Sequence, residues 1–269
     1  MSDSYSDPIG KTSFLQSLTI QRRVISALVL REMLTRYGRH NIGFLWLFLE
    51  PMLFSIGITI MWTYFRFAKG DIPVAGFALT GYSAIVMWRN TVNKMTNTAS
   101  ANKGLLYHQQ VKILDLVLAR LVLEFAGVTT SLVFLTIIFN QLDLMPLPVN
   151  PLGALIGWFY LMWFVSGVGM IAAYLGELSE VFDRVWHVLL YLTLPFTGAF
   201  YMVAWLPSEA QKIVLWSPMV NAVEIFREGY FGPSVQAIYS IQYLVVANSL
   251  LTFIGLVMVR KVRRRLDHE

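Results

Sequence analysis

The chain of 269 residues predicts an all-α polytopic membrane protein. It has six transmembrane helices, an N-terminal amphipathic helix at the membrane interface, and outer re-entrant helices between spans five and six. Three observations carry this prediction. Composition is the first: 56% of residues are hydrophobic, only 14% are charged, and mean hydropathy is +0.58. The second is a set of six long apolar stretches, at 43–65, 74–87, 113–139, 151–175, 185–203 and 241–259. A span of about 20 residues at 1.5 Å each matches a hydrocarbon core of roughly 30 Å. The third is charge asymmetry. With the N-terminus in the cytoplasm and each stretch crossing once, 17 of the 21 Lys and Arg residues fall inside and 4 outside, at Arg66, Lys69, Lys212 and Arg227. Lys and Arg are retained in short cytoplasmic loops, so both termini are expected inside.

Taken in order, residues 1–13 are polar and read as a disordered tail. Residues 14–40 form the amphipathic helix: Leu18, Ile25, Leu28, Val29 and Met33 share one face, and Arg22, Arg23 and Arg31 lie largely elsewhere. Such a helix either lies along the inner membrane surface or connects to a cytoplasmic partner. Residues 41–260 form the six-span domain. Its first stretch carries Glu50-Pro51, where Pro removes a backbone donor and kinks the helix. An ionised side chain near mid-membrane costs around 2.5–3.5 kcal/mol on insertion scales, so Glu50 should be partnered or face a cavity. Arg120 and Glu124, one turn apart in the third stretch, are the expected partners.

The second stretch is short and extends through Trp88 towards Val92. The longest inner loop follows, a polar helix at 90–102 stopped by Gly104. A Pro-rich outer loop, 141–150, leads to the fourth stretch, where Gly153 and Gly157 permit close helix approach. Glu177, Glu180, Asp183 and Arg184 make a short inner loop of net −2. Residues 205–232 are too interrupted to span, by Pro207, Pro218, Glu224, Arg227 and Glu228, yet too apolar for a solvated loop. Two short helices dipping into the outer leaflet fit best. Residues 261–269 are a basic cytoplasmic tail.

Several function classes are disfavoured. The net charge of +5 flanks spans instead of forming one patch, so it speaks for topology and anionic lipid, not nucleic acid. No GxxxxGK[ST] loop, HExxH or GxSxG motif occurs, and there is no cysteine. Asp183 and His187 share a helical face but lack a third ligand, so no metal site is expected. Trp46, Trp62, Tyr64, Tyr201 and Trp205 belong either to an interfacial aromatic belt or to the wall of a path for a sugar chain, whose C–H faces stack on aromatic rings.

The run Leu30-Arg31-Glu32-Met33-Leu34-Thr35-Arg36-Tyr37-Gly38, then Gly43-Phe44-Leu45-Trp46 and Glu50-Pro51, resembles the N-terminal part of type-2 ABC exporter permeases. Among them the similarity is greatest to the capsular polysaccharide exporters of Gram-negative bacteria, the KpsM type. The stretch 102–111, the pieces Gly198-Ala199-Phe200-Tyr201, Leu206-Pro207 and Ser217-Pro218, and Arg227-Glu228-Gly229-Tyr230-Phe231-Gly232 follow the same pattern.

The resemblance covers nearly the whole chain and implies a non-catalytic membrane subunit of the inner (plasma) membrane. It implies a homodimer with two ABC ATPase subunits docked beneath, which carry the ATP and magnesium; this chain itself binds no cofactor. The implied cargo is a lipid-linked anionic polysaccharide, passed on to periplasmic and outer-membrane export proteins. The implied ATPase-coupling residues are Arg31 and Arg36 on the interface helix, Thr91, Lys94, Asn97, Asn102 and Lys103 around the first coupling helix, and Glu177, Glu180 and Asp183 at a second contact. Spans one and five would part to open a channel, with Glu50 holding the gate through Arg120. Alternatives are an exporter of another glycan (O-antigen or teichoic acid), an ion-coupled carrier, and a membrane-embedded glycan-modifying enzyme.

Overall fold

Apolar runs this long bury their own backbone polar groups by coiling, and the chain does so nearly throughout. A computed structural model describes residues 14–37, 41–65, 72–106 and 111–266, and no strand occurs among them. In chain order the helices are α1 (Phe14–Tyr37), α2 (Asn41–Phe65), α3 (Val74–Met95), α4 (Lys103–Leu106), α5 (Ile113–Gln141), α6 (Pro151–Leu178), α7 (Glu180–Leu192), α8 (Ser208–Val214), α9 (Pro218–Phe231) and α10 (Ile241–Leu266). By length and composition, Ile113–Gln141, Pro151–Leu178 and Ile241–Val262 can each cross a membrane. The 25 residues of α2 and the 22 of α3 are long enough by length alone.

The fifth apolar stretch departs from expectation. Its helix, α7, stops at Leu192 after 13 residues, about 20 Å, which is short of a bilayer's hydrocarbon core. Pro195 cannot continue the ladder, the Thr193 hydroxyl bonds back to the Leu190 carbonyl, and Gly198 takes a φ of +70°. A run outside any α-helix follows, with Thr197, Ala199, Met202 and Val203 all at most 1% exposed.

The expected polar helix at 90–102 is likewise not a separate element. Thr91–Met95 form the last turn of α3, and a turn and a 3-10 helix (Ser100–Asn102) follow. The Thr96 hydroxyl donates to the Asn93 carbonyl and the Thr98 hydroxyl to that of Met95, competing with the helical ladder. Gly104 lies inside α4 and stops nothing.

At the centre of the bundle, α3 is buried along nearly its whole length between α2, α5, α6 and α9. The helix α6 packs against α9 and α10. Its Gly157 permits the α9 contact: a Cβ there would lie 2.3 Å from the backbone nitrogen of Phe226. From the other side, a Cβ on Gly229 would lie 2.1 Å from the nitrogen of Ala154. The small-residue pair at 153 and 157 is therefore spent on packing within the chain. Trp158 stacks on Phe226 with centroids 5.2 Å apart.

Helix α1 differs from expectation in that its apolar residues are spread around it and do not gather on one face. Leu28 is buried against Leu116 and Ala119 of α5, with Val24, Ile25 and Val29 beside it. Leu18, Ile20, Leu30 and Leu34 remain exposed. The helix thus docks on protein with one flank and keeps other apolar side chains outward.

Candidate functional site: a polar knot at the α1 end

Where α1, the end of α3, the start of α5 and the end of α6 converge, apolar packing gives way to a connected set of polar side chains. Arg120, 8% exposed, is its hub. Its Nε donates to Glu32 Oε1 on α1 at 3.2 Å. Its Nη1 donates to the Lys94 carbonyl at 2.6 Å and to Thr98 Oγ1 at 3.0 Å. One guanidinium therefore grips α1 and the frayed end of α3 from its seat on α5. Planar, forked donors suit this task, because a single ammonium cannot address groups on several sides.

The remaining members extend the knot. Lys94 Nζ lies 2.9 Å from each oxygen of Glu124, which is 2% exposed. Arg31 Nη1 donates to Asn102 Oδ1 at 2.8 Å, and Asn102 Nδ2 donates to the Thr98 carbonyl at 2.9 Å. Gln21 Nε2 donates to Asp115 Oδ1, while Asp115 Oδ2 accepts the Lys112 N–H that opens α5. From α6, Glu177 Oε1 accepts the N–H groups of Ala99 and Ser100 at 2.9 and 2.8 Å. The absence of a side chain at Gly176 is what lets α6 come this close: a Cβ there would meet the Thr96 carbonyl oxygen at 2.1 Å. Between these groups lies a cavity of about 340 Å³ lined by Arg31, Glu32, Asn93, Lys94, Asn97 and Arg120. Thr91 Oγ1 and Asn93 Oδ1 are buried without a hydrogen-bond partner among the described residues.

Of the sequence-predicted coupling residues, the structure thus brings Arg31, Lys94, Asn97, Asn102 and Glu177 to one place, and Thr91 lies buried on the last turn of α3. The side chains of Arg36, Lys103, Glu180 and Asp183 lie outside the described residues, as do those of Glu50 and Trp46. Arg120 and Glu124, expected as partners of Glu50, are engaged here with Glu32 and Lys94. The importance of Glu32 and Gln21 was not apparent from sequence. The Arg-Glu pair at 31–32 was the available signal: a carboxylate beside arginines on a basic helix needs a partner elsewhere.

The aromatic residues separate. Trp62 is 6% exposed and packs on Phe77 and Phe200, at centroid distances of 5.6 and 5.8 Å. Trp205 packs on the same Phe77 at 5.1 Å. The half-buried Tyr201 donates its hydroxyl to the Pro195 carbonyl at 2.6 Å. Tyr64 alone of the four is fully outward, 83% exposed.

At the opposite end, Glu224 and Arg227, which sequence marked as interruptions, and Asn221, which it did not single out, are among the most buried polar groups, each at most 1% exposed. On the same surface, Tyr239 donates its hydroxyl to Glu228 Oε2, a bond that pushes the phenol up to about 12.

Residues 23–231 match the family model described as "ABC-2 type transporter". The chain is 42% identical over 258 residues to the capsule polysaccharide export inner-membrane protein BexB of Haemophilus influenzae, covering 96% of this chain and 97% of that protein. It is 39% identical over 260 residues to the corresponding protein CtrC of Neisseria meningitidis serogroup B, covering 96% and 98%. It is 26% identical over 243 residues to the polysialic acid transport protein KpsM of Escherichia coli, covering 90% and 94%.

Proposed function

The chain belongs to the ABC-2 type transporter family, and from that premise we propose that it is the permease subunit of an ATP-driven exporter of capsular polysaccharide. The observation that carries the proposal is similarity along nearly the full length to proteins named for capsule polysaccharide export at the inner membrane. In this reading the subunit crosses the inner membrane six times with both ends in the cytoplasm. Helices α8 and α9 re-enter from the outer side, and the subunit works as a homodimer above two ATPase subunits. Those subunits hold the ATP and magnesium, and this chain performs no chemistry. The cargo is a lipid-linked anionic polysaccharide handed to periplasmic and outer-membrane export proteins.

The polar knot is the coupling element. ATP-driven closure of the ATPases displaces the segment 95–102 and the end of α6. Glu177 ties those two contacts together, so they move as one platform. Arg120 passes the displacement to α5 and α1, and the crossing formed by α2 parts from the one formed by α7 with the broken run after it to open the path. Burial supports this: with Arg120 and Glu124 at most 8% exposed, the linkages are shielded from water and transmit force with little slack.

An ion-coupled carrier is the reading from a different class. Carriers of that kind coordinate their ion with carbonyls of a broken helix near mid-membrane. Here the broken run after α7 has its carbonyls at Gly198, Ala199 and Tyr201 occupied by the guanidinium of Arg227, which argues against it. Export of another glycan, O-antigen or teichoic acid, is the nearer alternative.

The test is complementation. In a capsulated cell lacking its own permease of this kind, the chain with its ATPase should restore polymer at the surface. Polymer retained inside, with both subunits present in the membrane, would refute the proposal.

A further inference from the structure

At the end of the molecule far from the knot, the run after α7 poses a physical problem. Its backbone groups are buried, and irregular backbone at membrane depth persists only where protein satisfies it. Helix α9 supplies what is missing from three side chains spaced three residues apart on one face. Arg227 Nη1 donates to the carbonyls of Gly198 and Tyr201 at 2.7 and 2.8 Å, and Nη2 to that of Ala199 at 2.6 Å. Arg227 also reaches α3, 3.4 Å from both Thr80 Oγ1 and the Phe77 carbonyl, with its guanidinium carbon 4.0 Å from the centre of the Phe77 ring.

Glu224 takes two backbone donors, the Val203 N–H on one oxygen and the Ile238 N–H on the other, both at 3.0 Å. Asn221 accepts from the Ser240 N–H at 2.8 Å and donates to the carbonyls of Leu215 and Ser217 at 2.8 and 3.0 Å. Space is reserved for the arrangement: a Cβ on Gly81 would sit 2.3 Å from the Ala199 carbonyl oxygen and 2.6 Å from Arg227 Nη2.

Below this clamp the chain is held differently. Helix α7 packs inward through Trp186 and Leu190, and exposes Val181, Val185, Val188, Tyr191 and Leu192. Between the two lie Pro195, two threonines bonded back onto the chain, and the positive φ of Gly198.

We propose that Arg227, seconded by Glu224 and Asn221, is a positioning residue that keeps the fifth apolar stretch permanently broken. Residues 198–240 then form one rigid outer cap, and α7 swings beneath it about a hinge at 193–197. Bending concentrates there because hinges absorb their change at a few element-terminal residues, while the Tyr201 and Ser217 hydroxyls tie the Pro195 and Phe196 carbonyls at the upper edge of the hinge to the cap. The proposal rests on the exporter reading only for the cause of the swing; the clamp stands without it.

Because the chain has no cysteine, pairs of spin labels report on it directly. One pair is placed within the cap, at Lys212 and Ser234, and another across the hinge, at Val188 and Lys212. Labelled chain is diluted into unlabelled chain, assembled with the ATPase subunit in lipid nanodiscs, and measured without nucleotide and trapped with ATP and vanadate. The cap pair should hold its distance in both states while the hinge pair shifts by about 5 Å, the scale of a one-turn displacement. Arg227→Met leaves three buried carbonyls without a donor and is expected to fold poorly, so Arg227→Lys is the informative variant: a point charge cannot span the same acceptors. Without nucleotide, R227K should broaden the cap-pair distribution at least twofold; with the ATPase, it should retain hydrolysis but lose most export.

A cap pair that moves as far as the hinge pair, a hinge pair that stays fixed under hydrolysis, or an R227K cap indistinguishable from wild type would each overturn the proposal. Absence of any ATP hydrolysis would refute the exporter reading instead, and the nucleotide-free comparison of wild type with R227K would still decide the clamp.

Discussion

Replacing Arg120 with Met tests the knot most severely. The substitution roughly preserves length and, among the described residues, removes the bonds to Glu32 Oε1, to the Lys94 carbonyl and to Thr98 Oγ1. The pair it breaks is well buried, the two side chains being 10% and 13% exposed. Removing one partner of such a pair costs about 3–5 kcal/mol, mostly from the orphaned charge and not from lost attraction. The Lys94–Glu124 pair joins only α3 and α5, with Lys94 33% exposed and Glu124 3% exposed, whereas Arg120 joins α5 to both α1 and the end of α3. Arg120→Met should therefore loosen the packing of α1 as Lys94→Met does not. The diagnostic comparison is the double variant Arg120→Met with Glu32→Gln. Neutralising Glu32 should recover about 0.5–3 kcal/mol, the usual coupling between residues in contact. Unfolding in detergent, followed by the fluorescence of the eight tryptophans, measures all of these. Arg120→Met as stable as wild type, or a double variant less stable than Arg120→Met alone, would refute the reasoning.

Three further outcomes are expected. Gly157→Leu should prevent the α6–α9 contact, since even a Cβ would lie 2.3 Å from backbone, and yield aggregated protein on size-exclusion chromatography; a normally assembled variant would contradict the packing. Glu177→Ala removes a carboxylate that accepts two N–H groups, a loss of roughly 1.5–3 kcal/mol per charged bond at most. It should leave ATP hydrolysis running while export falls at least fivefold, and parallel loss of both would argue against a shared platform. The Tyr239–Glu228 bond raises the phenol's pKa to about 12, so its contribution is intact below the ordinary value of 10 and is lost as pH rises through 12. Wild type and Tyr239→Phe should thus show the same change in stability between pH 6 and 9, and diverging profiles in that window would contradict the assignment.

Much of this was legible in sequence because lipid imposes a simple rule: long apolar runs coil. Hydrophobic length located α2, α5 and α6 to within a few residues and the start of α10, which runs seven residues past its apolar stretch into the basic tail. Breaks in helices were harder to read. Pro195 and Gly198 gave local warning of the end of α7, but 185–203 carries no Lys, Arg, Asp or Glu, and the distant Arg227 is what makes a buried break tenable. The polar end of α3 failed for the converse reason: Thr96 and Thr98 end the helix through hydroxyl bonds that residue polarity does not reveal. The candidate site was legible as a set of regions, with Arg31, Lys94, Asn102 and Glu177 all named, but not as a network. Glu32 pairs with Arg120 across 88 residues, and a pairing at that distance leaves no local periodicity to read. Gly153 and Gly157 show the same limit, since spacing marks a close approach without saying which helix approaches.

The central claim is that this chain is driven by a separate ATPase. Purification of the tagged chain from native membranes in mild detergent, with its companions identified and ATP hydrolysis assayed, tests that claim most directly. The account predicts a nucleotide-binding subunit at 1:1 stoichiometry and measurable ATPase activity. A chain that purifies alone under several gentle conditions, with no nucleotide-binding companion and no hydrolysis, would contradict it.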